Sequence, residues 1–272
     1  MSSVPKEVTG HKRRWSVPLA PPPKLGQHFL IKGGILERIA AAACPTREEL
    51  VIEIGPGRGA LTEKLLKRSA RVIAVELDTC LVDHLRTRFA DNPRLEVVHA
   101  DVLRTDLGKW GRAPIAGNLP YYIASPILEQ VIRLDVPRAV FLIQKEVAER
   151  LIATPGHRDY GYLTVQTALF SSVRRLFDVA PSAFHPPPKV DSAVVLVEPR
   201  DRGFQIRDRE AFLRFLRACF HLKRKTLRNN LIGVYGKELI DTWPEAGLRA
   251  EQIPLEQFAE MFQRVERDTG SG

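Results

Sequence analysis

Five short apolar runs between residues 50 and 144 constrain the fold of this chain more than any other feature: LVIEI (50–54), RVIAVEL (71–77), RLEVVHAD (94–101), APIAGN (113–118) and RAVFLIQ (138–144). Helical spacing fills ALTEKLLKRS and TCLVDHLRTRFA between the first three runs. SPILEQVIRL lies between the fourth and fifth, and KEVAERLIA follows the fifth. Near-continuous apolar runs of this length suit strands buried on both faces, and alternation with helices suits a mainly parallel sheet. The expected class is therefore α/β. Two more strands are expected around HPPPK, in LFDVAPSAF and VDSAVVLVEP. From about residue 205 the texture changes. REAFLRFLRACF, KTLRNNLIGVYG, KELIDTWPEAG and PLEQFAEMFQRVERD are helical patterns with no strand between them. The expected organisation is a basic arm over 1–23 ending in Pro21-Pro22-Pro23, an α/β domain over 24–200, and a small all-helical domain over 205–272.

The residues that end the runs narrow the chemistry. Glu53-Ile54-Gly55-Pro56-Gly57-Arg58-Gly59 follows the first run and opens a helix, so its glycines permit a tight turn and close approach of a ligand. The spacing is G-x-G-x-G, not the dinucleotide G-x-G-x-x-G. Glu53 would also oppose a pyrophosphate while suiting a cationic, amino-acid-like group. Glu76 ends the second run, where a carboxylate can take ribose hydroxyls. Asp101 ends the third, where it can accept from an adenine amine. Ligands of open α/β sheets lie beyond the carboxyl ends of the strands. A ribose, an adenine and a cationic amino-acid end together describe S-adenosyl-L-methionine. The fourth run leads into Asn118-Leu119-Pro120-Tyr121, which sets an amide oxygen, a backbone carbonyl and a π face side by side. That set suits gripping a flat ring and making its exocyclic amine nucleophilic.

Charge points to the partner. The net charge is +9. The basic excess sits at the periphery: Lys6, Lys12, Arg13, Arg14 and Lys24 against Glu7 over 1–24, and ten Lys or Arg against three acids over 200–234. This distribution favours a polyanion held by the periphery. Lys223, Arg224, Lys225 and Arg228 are the candidate phosphate contacts. Cys44, Cys80 and Cys219 are far apart and form no CxxC or Cys/His cluster, so no metal site and no disulfide framework is expected. A reducing cytoplasm is the natural inference. No apolar run approaches the ~20 residues of a membrane span, and the first residues lack the apolar core of a secretory signal.

The blocks LGQHFL, EIGPGRGALT, VIAVELD, HADVL, GNLPYYIASPIL, IQKEVAERL, YGYLTVQ, FHPPPKVDSAV and RKTLRNNL occur in that order. In these the chain resembles the ribosomal RNA adenine dimethyltransferases that modify two adjacent adenines near the 3′ end of small-subunit rRNA. The resemblance covers roughly residues 24–265. It is weaker to the macrolide-resistance enzymes that methylate large-subunit rRNA. The resemblance implies a Rossmann-like class I methyltransferase sheet with the helical domain as rRNA binder. The expected partner is small-subunit rRNA within an immature small subunit, and the expected state is a monomer; the residues themselves decide neither the state nor naked rRNA against a partly assembled particle. Donor contacts would be His28, Leu30, Gly55, Glu76, Asp101 and Asn118, with His28 standing where relatives often have Asn. Asn118, Pro120 and Tyr121 would handle the target base, with Phe184 on its other face.

Overall fold

The computed structural model describes residues 28–200 and 206–269, and the expected arm over 1–23 lies outside them. In chain order the elements are β1 (Phe29–Leu30), α1 (Gly33–Ala43), β2 (Glu48–Ile54), α2 (Ala60–Leu65), β3 (Ser69–Glu76), α3 (Thr79–Arg88), β4 (Leu95–His99), β5 (Ile115–Asn118), α4 (Ala124–Val131), β6 (Ala139–Gln144), α5 (Lys145–Ile152), α6 (Tyr162–Phe170), β7 (Ser171–Val179), β8 (Phe184–His185), β9 (Ser192–Pro199), α7 (Arg209–Cys219), α8 (Leu227–Tyr235), α9 (Lys237–Ile240) and α10 (Leu255–Thr269).

The five runs pair as one sheet. Its order is β4-β3-β2-β5-β6-β9-β7, parallel from β4 through β6, with β9 antiparallel to both β6 and β7. Side chains alternate across each strand, and the two faces found separate cores. Ile52, Ile73, Phe141 and Ile143 join α4 and α5 on one face. Val51, Val72, Val140 and Leu142 join α1 and α2 on the other. This two-sided burial is why the runs read as continuously apolar.

LFDVAPSAF does not form one strand. β7 takes Ser171–Val179, a 3₁₀ turn over Pro181–Ala183 intervenes, and β8 pairs with β1 in a separate two-stranded sheet. Pro181 lacks the N–H that a continuing ladder would need. KELIDTWPEAG is helical only over α9, ahead of Pro244.

The C-terminal helices build a third core. In α7, Asp208 caps the first turn by accepting from the Ala211 N–H at 2.8 Å. Phe212, Leu213, Phe215, Leu216 and Cys219 then fall on one buried stripe. They pack with Leu227, Leu231, Phe258 and Phe262, and with Tyr160 and Val165 from around α6. Among the described residues, no helix is long and apolar enough to cross a membrane.

Candidate active site

The register of the sheet decides where the chemistry gathers. Ile54 lies beside Val75 on one side and Gly117 on the other. Gly55, Glu76 and Asn118 therefore emerge in one row at the carboxyl ends of β2, β3 and β5, and Asp101 follows shortly after β4. Two hollows share Gly55, Glu76 and Pro120. The first is lined by His28, Phe29, Leu30, Glu53, Arg58, Asn118 and Tyr121 among others. The second is a largely apolar slot with Leu77, Val102, Tyr122 and Ile123 on its walls and Asp101 at its edge. Asp101 also caps the turn that follows it, accepting from the Leu103 N–H at 2.9 Å.

The glycine loop is drawn tightly against α3. Gly59 has φ +81°, and a Cβ there would stand 2.6 Å from Phe89 Cε2 and 2.9 Å from Leu85 Cδ2. With the loop so placed, the Gly57 N–H donates to Glu76 Oε2 at 3.1 Å. Glu76 Oε1 accepts from the N–H groups of Leu77 at 2.9 Å and Asp78 at 3.0 Å. Burial pushes the Glu76 carboxyl up, and these three N–H bonds pull it back only in part. A carboxylate offers about four acceptor sites. With Oε2 holding a single bond, room remains for one ribose hydroxyl, where sequence reasoning allowed two.

Glu53 is 1% exposed and accepts from Thr62 Oγ1 at 2.5 Å. Burial pushes its carboxyl from 4.5 up to about 8, against the opposing bond from Thr62. The folded protein therefore holds this proton over a pH window in which the unfolded chain has released it, and stability falls as pH rises from about 4.5 to about 8. Thermal unfolding from about pH 5 to about pH 9 should show Glu53→Gln gaining on the wild type as pH rises. A difference that does not change with pH contradicts this.

Asn118 is oriented by a bond that admits one reading. Its Nδ2 lies 2.9 Å from the His28 carbonyl, which can only accept, so the amide must present its NH₂ there. Oδ1 is left as the free acceptor. The His28 ring is fixed by the same logic: its Nδ1 lies 2.8 Å from the Pro186 carbonyl and donates to it. The Pro120 carbonyl already accepts from the Ile123 N–H at 3.1 Å, which leaves it one lone pair. Tyr121 is half-buried, its hydroxyl 2.6 Å from Ser192 Oγ and its ring centroid 5.6 Å from that of His28. Ser192 is fully buried at the start of β9. Its role as anchor of the Tyr121 ring was not visible in the sequence, because 71 residues separate the two.

Two expectations are corrected. Phe184 does not present a face to the cleft: it is 3% exposed and packs with Leu30, Leu36 and Val179. The β1–β8 register sets it opposite Leu30 and commits it to the core on the α1 side. Arg228 is not a free cation, since its guanidinium holds Asp241 through Nε at 2.6 Å and Nη2 at 3.3 Å. Lys223, Arg224 and Lys225 are exposed between α7 and α8. Lys223 Nζ donates to the Arg158 carbonyl at 2.5 Å. That bond brings the backbone of Arg158 beside the basic loop, while the Arg158 guanidinium lies 3.7 Å from Asp159. Among the described residues, neither Arg224 nor Lys225 forms an ion pair.

Residues 22–267 match the family described as ribosomal RNA adenine dimethylase. A Geobacter metallireducens protein named ribosomal RNA small subunit methyltransferase A is 42% identical over 252 residues, covering 86% of this chain and 92% of that protein. A Thermotoga maritima protein of the same name is 41% identical over 247 residues, covering 89% and 85%. Among solved structures, a dimethyladenosine transferase from Plasmodium falciparum is similar with a TM-score of 0.73 and 28% identity, over 90% of this chain and 98% of that one. The 23S rRNA methyltransferase ErmE gives a TM-score of 0.64 and 26% identity, over 88% and 99%.

Proposed function

Since this chain belongs to the ribosomal RNA adenine dimethylase family, we propose that it methylates the exocyclic amines of two adjacent adenines near the 3′ end of small-subunit rRNA, twice each. The sheet is that of a Rossmann-like class I methyltransferase, and the methyl donor is S-adenosyl-L-methionine, which supplies a methyl group carried on a sulfonium. The site's residues fit that donor. The apolar slot with Asp101 at its edge suits the adenine, and the open acceptor site on Glu76 suits a ribose hydroxyl. The buried Glu53 carboxyl, raised by desolvation, is the group a neighbouring cation would return to its charged form. Leu30, Gly55 and His28 line the same hollow, and the His28 carbonyl holds the Asn118 amide.

The observation that carries the reading is the locked amide of Asn118. An adenine amine is a poor nucleophile because its lone pair is delocalised into the ring. Asn118 Oδ1 accepts one of its N–H groups and the remaining lone pair of the Pro120 carbonyl accepts the other. Together they favour a pyramidal amine with a localised lone pair. Tyr121, held by Ser192, supplies the stacking face, worth about 1–3 kcal/mol per base. No base is required before attack, because the proton leaves a cationic amine afterwards. Each adenine amine carries two N–H groups and can be methylated twice; in the second round its one remaining N–H donates to one of these two acceptors.

The catalytic domain is assigned to residues 24–200 and rRNA binding to residues 205–272, whose described part is helical. Arg224, Lys225 and Lys223, joined by Arg158, hold phosphates. The protein acts as a monomer, in the cytoplasm, on an immature small subunit. Replacing Arg224 and Lys225 by alanine should make the slope of log affinity against log salt shallower by roughly 2, while Arg228→Ala changes it little. An unchanged slope in the double variant argues against this surface. Offering labelled donor with unmethylated small subunits, naked small-subunit rRNA and large-subunit rRNA tests the substrate. Transfer confined to large-subunit rRNA overturns the proposal.

A further inference from the structure

Arg58 stands out as a cation that lines the cleft without an ion-pair partner among the described residues. It is half-buried, lines the first hollow together with Glu53, and lies with its guanidinium carbon 4.8 Å from the Phe29 ring centroid. The acid on the helix that follows, Glu63, is taken by Arg88 at 3.0 Å and approached by Lys64 and Lys67. The Phe29 ring under the guanidinium favours the charge and limits its movement. Phe29 is itself held by β1, which pairs with β8.

We infer that Arg58 binds the carboxylate of the methyl donor's amino-acid end, through the fork of its guanidinium, opposite Glu53. The assignment rests on the donor reading given above. Its chemistry is specific: an amino acid carries an ammonium and a carboxylate on one carbon, and this hollow offers the Glu53 carboxyl and the Arg58 guanidinium, its other carboxyl, Glu76, being assigned to the ribose. A planar guanidinium matches a carboxylate with two parallel N–H bonds. The rest of the donor, its adenosine, falls in the slot that Arg58 does not line.

Two ligands separate these halves. S-adenosylhomocysteine carries the amino-acid end, and 5′-methylthioadenosine lacks it. Calorimetric titration of the full chain should show Arg58→Ala weakening S-adenosylhomocysteine by about 10- to 100-fold. The affinity for 5′-methylthioadenosine should stay within about twofold, which also reports an intact fold. Arg58→Lys, which keeps the charge and loses the fork, should fall between alanine and wild type for S-adenosylhomocysteine alone. Unchanged S-adenosylhomocysteine affinity in Arg58→Ala overturns the assignment, as does equal weakening of both ligands. If Arg58→Ala weakens RNA binding alone, the guanidinium serves a phosphate and the assignment also fails. If the wild type binds neither ligand, the donor reading falls and this assignment with it.

Discussion

Asn118→Ala is expected to lower methyl transfer by on the order of 10³-fold or more, equivalent to about 4 kcal/mol of barrier, while the protein remains folded. The size follows from what the side chain does. Oδ1 is an uncommitted amide acceptor on the wall of the first hollow, next to Pro120, which both hollows share, and it is pre-aimed by the bond from Nδ2 to the His28 carbonyl. Alanine removes both the acceptor and the bond that aims it. The structural cost is one half-buried hydrogen bond, about 1 kcal/mol, so thermal unfolding should shift by only a few degrees. Asn118→Asp is the sharper variant. A carboxylate cannot donate to the His28 carbonyl, so the side chain must turn away from it. Activity should fall nearly as far as with alanine, although an acceptor oxygen is still present. Near-normal turnover in either variant contradicts the mechanism.

Gly117→Ala should have the largest effect on stability for a single methyl group. Gly117 sits in β5 immediately before Asn118, and a Cβ there would stand 2.5 Å from the Ile54 carbonyl oxygen and 3.2 Å from Leu119 Cδ2. The first of these is backbone, held in the β2–β5 ladder, and cannot swing aside as a flexible side chain can. Relief requires splaying the two strands at the end where Gly55 and Asn118 leave the sheet. Overpacking of this kind costs roughly 2–3 kcal/mol, which lowers the melting temperature of a chain this size by about 5–10 °C. Methyl transfer should fall as well, even below the unfolding transition, since the row of site residues is set by this register. A melting temperature within about 1 °C of wild type contradicts this close packing of β2 against β5.

Much of this was legible in the residues, and the failures have physical causes. The parallel sheet followed from apolar runs buried on both faces, and the gathering of Gly55, Glu76, Asp101 and Asn118 followed from the rule that such sheets bind ligands at their strand ends. α1 was missed because it begins with Gly33-Gly34 and has no side-chain cap. Its helix is supported by packing Leu36, Ile39, Ala40 and Ala43 against the sheet rather than by local signals. α6 was missed because Leu163 to Thr167 are all buried in succession, so no polar face marks a helical period. Its side chains serve two cores at once, with Leu163 in one and Val165 in another. Phe184 and Arg228 illustrate a different limit. A phenylalanine beside a functional loop and an arginine in a basic run look the same in sequence whether they face a ligand, a core or an aspartate. Only the pairing of β8 with β1, and the placing of Asp241 against Arg228, decide between those fates.

The most direct test is transfer of labelled methyl groups from S-adenosyl-L-methionine to small ribosomal subunits that lack the modification, followed by mass-spectrometric mapping of the modified bases. The expected result is dimethylation on the exocyclic amines of two adjacent adenines near the 3′ end of the small-subunit rRNA, and its loss with Asn118→Ala. Label found on other bases, or transfer that survives Asn118→Ala, contradicts the account.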